Sequence, residues 1–344
     1  VENEARREQN ASARERAPRA PRAPLAFGWL GIGTLIATFV AALVDRGDAD
    51  DAAVPRATAL WAADRDGSRV CTLDARLIVE RSIACPEPLE VRACADGGAW
   101  VLRATRRVAG GAQRLERWNA GGDTLASVAL DPCISLCTDD RDQALVIEAH
   151  SASHAERAWR VARDGSLSPL AEREGLRCLA PWRDGVVIGT SNGELVCVDA
   201  SARSTLARES GGVVLDLARG PEAGTLWLLE KRGSNRLALL DERFAARWSI
   251  GLRISALHLA PVPGEERVWL CDAREPRVQR FGPRGTLELD LRNLPLAGLD
   301  RAVAWSDRGA VLAAPGALLH VDQHGRLAPG QGGFNYLVAL DRAR

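Results

Sequence analysis

The sequence predicts an all-β chain, a seven-bladed β-propeller, preceded by one N-terminal transmembrane helix. Three observations carry that reading. A short apolar run recurs seven times: ALWAAD (59–64), GAWVLR (98–103), QALVIE (143–148), GVVIGT (185–190), TLWLLE (225–230), RVWLCD (267–272) and GAVLAA (309–314). Aligned on Trp61, Trp100, Leu145, Val187, Trp227, Trp269 and Val311, the copies lie 39, 45, 42, 40, 42 and 42 residues apart. Each copy also has the same neighbours. An apolar strand precedes it (VRACAD, ISLCTD, LRCLAP, VLDLAR, ISALHLA, RAVAWSD), and a third strand follows (RVCTLD, RLERWN, ELVCVD, RLALLD). A turn then places Gly122, Gly165, Gly285 or Gly325 where positive φ is cheap, before a fourth strand begins. A period of forty-odd residues with about four short strands is the signature of sheets repeated around an axis. Six or eight blades are the alternatives. The third observation is a charge-free run, Ala23–Val44, long enough as a helix to cross a bilayer core of about 30 Å.

In chain order, residues 1–24 are rich in Ala, Arg, Glu and Pro without apolar periodicity, which predicts a disordered cytoplasmic tail. Residues 25–44 are the predicted membrane anchor. Arginines precede it and Asp45, Asp48, Asp50 and Asp51 follow, so the positive-inside bias sends the C-terminal bulk to the periplasmic or extracellular side of the inner membrane. A cleaved signal peptide, cut near Val40-Ala41-Ala42, is the alternative. Residues 45–56 read as an acidic linker and 57–344 as the propeller. The first copy lacks an inner strand of its own. The run from Phe334 to Leu340 has the inner-strand pattern and no blade to enter, so it is expected to complete the first blade and close the ring.

Composition narrows the function classes. The 344 residues include 45 Lys plus Arg against 45 Asp plus Glu, so there is no excess positive field of the kind nucleic-acid binding draws on. All of those basic residues but Lys231 are Arg, and Met is absent, which reads as genomic composition bias. Six of the eight cysteines fall in apolar runs and read as small buried hydrophobes, while a disulfide involving Cys85 or Cys133 stays open. Cys133 and Cys137 lack the paired spacing of a zinc site.

Within the sixth copy, Asp272-Ala273-Arg274-Glu275-Pro276-Arg277-Val278-Gln279-Arg280-Phe281 resembles the NHL-repeat pattern of an Asp, a short loop, an Arg and an apolar strand ending in Phe. Asp64 to Arg69 keeps the same spacing, and Lys231 to Arg236 keeps the loop without the Asp. The chain from about residue 57 onward is thus similar to the NHL-repeat β-propellers, and more loosely to bacterial lactonase and lyase propellers. That resemblance implies a rigid platform for partners, not one function. The Asp–Arg pairs are read as braces across each strand connection.

Candidate chemistry is sparse. His150 and His154 are four apart but sit in a polar loop, without HExxH or a third ligand. His258 and Asp216 fall in inner strands, and Asp300 lies beside one. Glu90, Asp216, Asp300 and Asn335 are the set a divalent cation at the channel would use, since such a cation takes hard oxygen ligands. They are read as occupying different positions in the repeat. The channel candidates are therefore Asp216, His258, Asp300 and Asn335. No GxSxG, Walker loop or GxGxxG occurs, and no cofactor is expected. Trp61, Trp100, Trp227 and Trp269 share one repeat position and are read as packing between blades; Trp182 and Trp248, off register, are candidates for exposure.

The functional expectation is a membrane-anchored, extracytoplasmic binding scaffold. Its protein or small-ligand partner is expected on the loop face, around residues 104–113 and 150–156. The alternative is a lactonase- or lyase-like enzyme with a divalent metal at the channel.

Overall fold

The computed structural model describes residues 60–105, 112–149, 155–209, 211–296, 299, 301–305, 308–314, 316–330, 334 and 337–342. The expected tail, membrane span 25–44 and linker lie outside the described residues, as do His150, His154, Asp300, Asn335 and most of both predicted partner loops. Among the described residues no helix is long and apolar enough to cross a membrane.

Among the described residues, twenty-eight strands form seven four-stranded antiparallel sheets. The first blade takes β1 (Leu60–Asp64), β2 (Arg69–Leu73) and β3 (Val79–Ala84). The second runs β4 (Pro88–Ala93), β5 (Ala99–Ala104), β6 (Gln113–Trp118) and β7 (Thr124–Leu130). The third has β8 (Cys133–Thr138), β9 (Ala144–Ala149), β10 (Glu156–Val161) and β11 (Leu167–Arg173). The fourth has β12 (Leu176–Trp182), β13 (Gly185–Thr190), β14 (Glu194–Val198) and β15 (Ser204–Glu209). The fifth has β16 (Val213–Arg219), β17 (Leu226–Arg232), β18 (Ser234–Leu240) and β19 (Ala246–Gly251). The sixth has β20 (Leu259–Pro261), β21 (Val268–Cys271), β22 (Val278–Phe281) and β23 (Leu287–Leu291). The seventh has β24 (Arg301–Ala304), β25 (Ala310–Ala314), β26 (Ala317–Val321) and β27 (Leu327–Pro329).

The last strand, β28 (Leu337–Arg342), pairs antiparallel with β1 and becomes the inner strand of the first blade. Closure by a C-terminal strand is as expected, although the strand begins three residues later than the run read from Phe334. Inner strands contact one another in order around the ring, and β24 touches β28 to complete it.

Each second strand is buried on both faces. Trp61 and Ala63 pack toward the second blade, while Leu60 and Ala62 pack toward the seventh. The same holds around the ring, giving seven separate apolar cores, one per blade interface. Trp61, Trp100, Trp227 and Trp269 are fully buried in them, as their shared position predicts. Trp182 and Trp248 are not surface aromatics. Trp182 is buried with its ring 5.0 Å from Phe244, and Trp248 lies edge-on to Trp227 at 5.5 Å.

The turn before each fourth strand places a positive-φ residue at the same point in all seven blades, and in the sixth Arg284 before it is left-handed as well. Gly122, Gly165, Gly285 and Gly325 adopt positive φ as expected, and Leu77, Ala202 and Phe244 hold the same place with φ near 60°. Burial of Leu77 and Phe244 offsets the strain of that backbone region; Ala202 is exposed and has no such offset.

The brace reading holds for the first blade and needs correction for the sixth. Arg69 donates to Asp64 at 3.0 Å. Arg277 instead forms a bidentate pair with Asp290 on β23, both bonds 2.7 Å. Asp272 accepts the Arg274 backbone N–H at 3.0 Å. A carboxylate diagonal to Arg277 across the strand pair offers the forked geometry that guanidinium prefers.

Candidate functional site

Five of the seven inner strands carry a β-bulge at the same point, in β4, β8, β12, β16 and β28. A bulge adds one residue and re-aims the side chain that follows it. The residues that follow are Glu90, Ser135, Cys178, Asp216 and Ala339, facing Leu102, Ile147, Gly189, Leu229 and Ala63 of the second strands. In the seventh blade Arg301 faces Ala313, and in the sixth His258 directly precedes Leu259, which pairs with Leu270. One ring around the channel therefore holds Glu90, Ser135, Cys178, Asp216, His258, Arg301 and Ala339. This corrects the expectation that Glu90 and Asp216 occupy different repeat positions: they are equivalent, and His258 is equivalent to both. The connection between inner and second strand is one residue longer in the fifth and sixth blades than in the second, so a simple count back from the anchor hides that alignment.

Within the ring, Arg301 forms a bidentate pair with Glu90, both bonds 2.7 Å. The two belong to the seventh and second blades. Between them the first blade presents only the methyl group of Ala339, so the guanidinium can span it. Arg92, on the same strand as Glu90, lies 3.6 Å from it and donates to the Leu136 carbonyl at 2.8 Å. Burial alone would raise the Glu90 carboxyl, but the Arg301 and Arg92 guanidiniums outweigh it and hold the group below its ordinary value of 4.5. Burial likewise opposes the charge on Arg92, and Glu90, Asp341 and other neighbours reverse that shift, so Arg92 stays charged.

Asp216 accepts the backbone N–H of Leu217 at 2.9 Å and of Leu259, on the next blade, at 2.8 Å. Asp341 does the same for Ala93 at 2.9 Å. These side chains satisfy the free inner edge of the neighbouring strand, which would otherwise present unpaired backbone groups. His258 is 44% exposed, with Nδ1 3.7 Å from Asp216, too long for a hydrogen bond but within ion-pair range. Of the predicted channel residues, Asp216 and His258 are thus brought together; Asp300 and Asn335 are outside the described residues. Glu90 joins them with Arg301, a partner no local pattern announces.

The donor set does not fit a divalent cation. Glu90 is committed to Arg301, and both Asp216 oxygens accept backbone N–H groups. Among the described residues no group of three or more His, Cys, Asp or Glu side chains is arranged to hold a metal ion. Nor does the ring offer a thiolate. All eight cysteines are free thiols, so the disulfide left open for Cys85 or Cys133 does not form. Burial pushes the Cys178 thiol well above 9.0 and the Cys133 thiol up to about 12, leaving both protonated at neutral pH.

No protein-family model matches the chain, and no curated protein sequence does either. Solved structures do. A candidate 6-phosphogluconolactonase from Bacteroides uniformis superposes with a TM-score of 0.63 at 11% identity, covering 83% of this chain and 99% of that one. A Lactobacillus plantarum protein gives 0.62 at 12% identity, over 83% of this chain and 99% of its own. Streptogramin B lyase gives 0.55 at 10% identity, over 71% and 83%. At such identities the likeness is one of fold, a bacterial propeller architecture, and function has to come from the site.

Proposed function

We propose that the chain is a β-propeller binding module, displayed outside the cytoplasm by the apolar segment 25–44 and recognising its partner through the channel ring and the loops around it. The observation that carries this reading is the internal commitment of the ring. Glu90 and Arg301 neutralise each other, Arg92 is held by Glu90 and the Leu136 carbonyl, and Asp216 and Asp341 bind neighbouring backbone. What is left facing the channel is His258, Ser135 and the mouth itself, a rigid surface suited to recognition. In this reading the repeats are NHL-like, with the Asp64–Arg69 brace as the retained feature.

Crosslinking in intact membranes tests the proposal. The partner captured by the wild-type chain should be lost on Glu90→Gln or His258→Ala, with the protein still in the membrane fraction. Capture unchanged by both substitutions would sink it. A reporter fused after residue 344 should be active only outside the cytoplasm; a cytoplasmic signal would remove the topological half.

A lactonase- or lyase-like enzyme is the second reading. It is favoured by the half-exposed imidazole of His258 beside Asp216, where a proton acceptor would sit, and by the likeness to the propellers above. A cation in that reading would need donors beyond the described residues, with Asp300 and Asn335 the expected ones. Lactone hydrolysis abolished by His258→Ala would establish it over the binding module.

A further inference from the structure

At the end of the blades where the inner strands begin, three segments are joined sideways through their backbones. In the fifth-blade hairpin the Asn235 carbonyl accepts the Leu252 N–H at 2.8 Å, and the Asn235 amide donates to the Ala256 carbonyl at 2.6 Å. The connection 252–256 then accepts, on the Ser255 carbonyl, the Ala273 N–H of the sixth-blade hairpin at 3.1 Å. Each segment carries exposed cations: Lys231 and Arg232, then Arg253, then Arg274. Among the described residues no ion pair holds any of the four.

Elsewhere at this end the charges balance. The first-blade hairpin pairs Arg69 with Asp64 at 3.0 Å and sets Asp66 beside Arg65, and in the fourth blade Glu194 is held by Arg173. Around the four cations the acids are mostly engaged. Asp272 is buried and accepts the backbone N–H groups of Arg274 at 3.0 Å and Ser255 at 3.4 Å. Glu230 is buried 3.8 Å from Arg236, and Asp290 is shared by Arg277 and Arg292. The exposed acids are Glu275, which also acts on Arg277, and Glu209 at the end of β15. Gathering like charges on adjoining loops costs free energy unless an opposite charge meets them.

The fifth-blade hairpin also presents its cations on a firm support. Among the described residues, β17 runs further past its anchor than any other second strand. Its last rungs pair Lys231 with Asn235 and Arg232 with Ser234, so the ladder holds the tip. A Cβ at Gly233 would meet nothing within 4 Å, so the tip stands clear of the body. Gly233 and Ser234 offer none of the large apolar side chains that seat a segment in a lipid interface.

We infer that this face of the fifth and sixth blades docks an acidic polypeptide segment, whose carboxylates meet Lys231, Arg232, Arg253 and Arg274. Guanidiniums fork onto carboxylates, and cations already held on paired backbone need little ordering on binding. The connection that bears Arg253 runs on to His258, so the docking face borders the channel ring. The inference rests on the binding-module reading and names the charge of its partner.

The test is titration of the full chain with a short fluorescent oligoglutamate peptide, read by anisotropy. Saturable binding is expected, weakened by added salt and weakened about tenfold or more by the double variant Lys231→Glu, Arg253→Glu. Both side chains are exposed, so the unfolding temperature should hold. The double variant Arg65→Glu, Arg326→Glu, at exposed arginines of the first and seventh blades, should bind as the wild type does. A carbodiimide, which joins amines to carboxylates, should link the peptide to Lys231, the sole lysine of the chain. No saturable binding, equal loss in both double variants, or no adduct at Lys231 overturns the inference. So does a lipid outcome, in which Lys231→Glu, Arg253→Glu removes a preference for phosphatidylglycerol over phosphatidylcholine vesicles and leaves peptide binding intact. Membrane crosslinking separates this failure from that of the parent reading. A partner lost on His258→Ala but kept by Lys231→Glu, Arg253→Glu would remove the acidic docking face and leave the binding module standing.

Discussion

The second strands and the inner strands of the seven blades obey opposite rules. At the anchor position of the second strands every blade carries Trp, Leu or Val, fully buried. At the ring position of the inner strands the residues are Ala, Glu, Ser, Cys, Asp, His and Arg, no two alike. The first position solves one packing problem seven times, so sequence converges there. The second faces a shared space in which each side chain has a different neighbour, so it diverges. Uniformity marks what builds the blades, and difference marks the position whose surroundings change from blade to blade.

Substitutions along each set sharpen the contrast. The largest effect should come from deleting residues 337–344, which leaves β1 without its inner partner and opens the ring; the cooperative thermal transition should disappear in circular dichroism. Next, Trp227→Ala empties a fully buried position and should cost about 3–5 kcal/mol in urea unfolding. In the inner ring, Glu90→Gln leaves Arg301 partly buried without a counter-charge, for a loss of about 2–4 kcal/mol. The double variant Glu90→Gln, Arg301→Gln should lose less than the two single losses added together. The pH dependence has a definite sign. Because the folded-state carboxyl of Glu90 is held below its ordinary value of 4.5, its stabilisation is present above that value. It is lost as pH falls through the folded-state value, so Glu90→Gln should flatten the acid limb of a stability–pH curve. The smallest effect is a gain: Ala202→Gly relieves an exposed positive φ and should add about 0.5 kcal/mol, measurable in the same urea titration. A ring substitution costlier than the Trp227 truncation would break the division of labour.

The sequence made the blades legible because its strongest signal, a buried anchor every forty-odd residues, is the feature the architecture repeats. Even the closing strand could be read, since the run after the seventh copy had nowhere else to go. The ring was not legible. Its alignment depends on the connection between inner and second strand, which puts the ring residue 10 residues before Trp100, 9 before Val187 and 11 before Trp227, a difference in loop length that the anchor repeat does not reveal. The partnership of Glu90 with Arg301 depends on closure, which brings the second and seventh blades within reach across a single alanine. The sixth-blade brace failed for a local reason: Asp290 offers Arg277 a two-pronged partner that Asp272, turned toward backbone N–H groups, does not.

The pairing of β28 with β1 also sets an order of events in biogenesis. Strands β1 to β3 are made first yet cannot finish their sheet until residues 337–342 have been made. Until then one sheet edge and the flanking apolar surface stay open, in whatever compartment the nascent chain occupies. Assembly therefore ends on a contact between the two extremes of the domain, the slowest kind to find, and a holding factor that shields the waiting edge would gain most at the first blade.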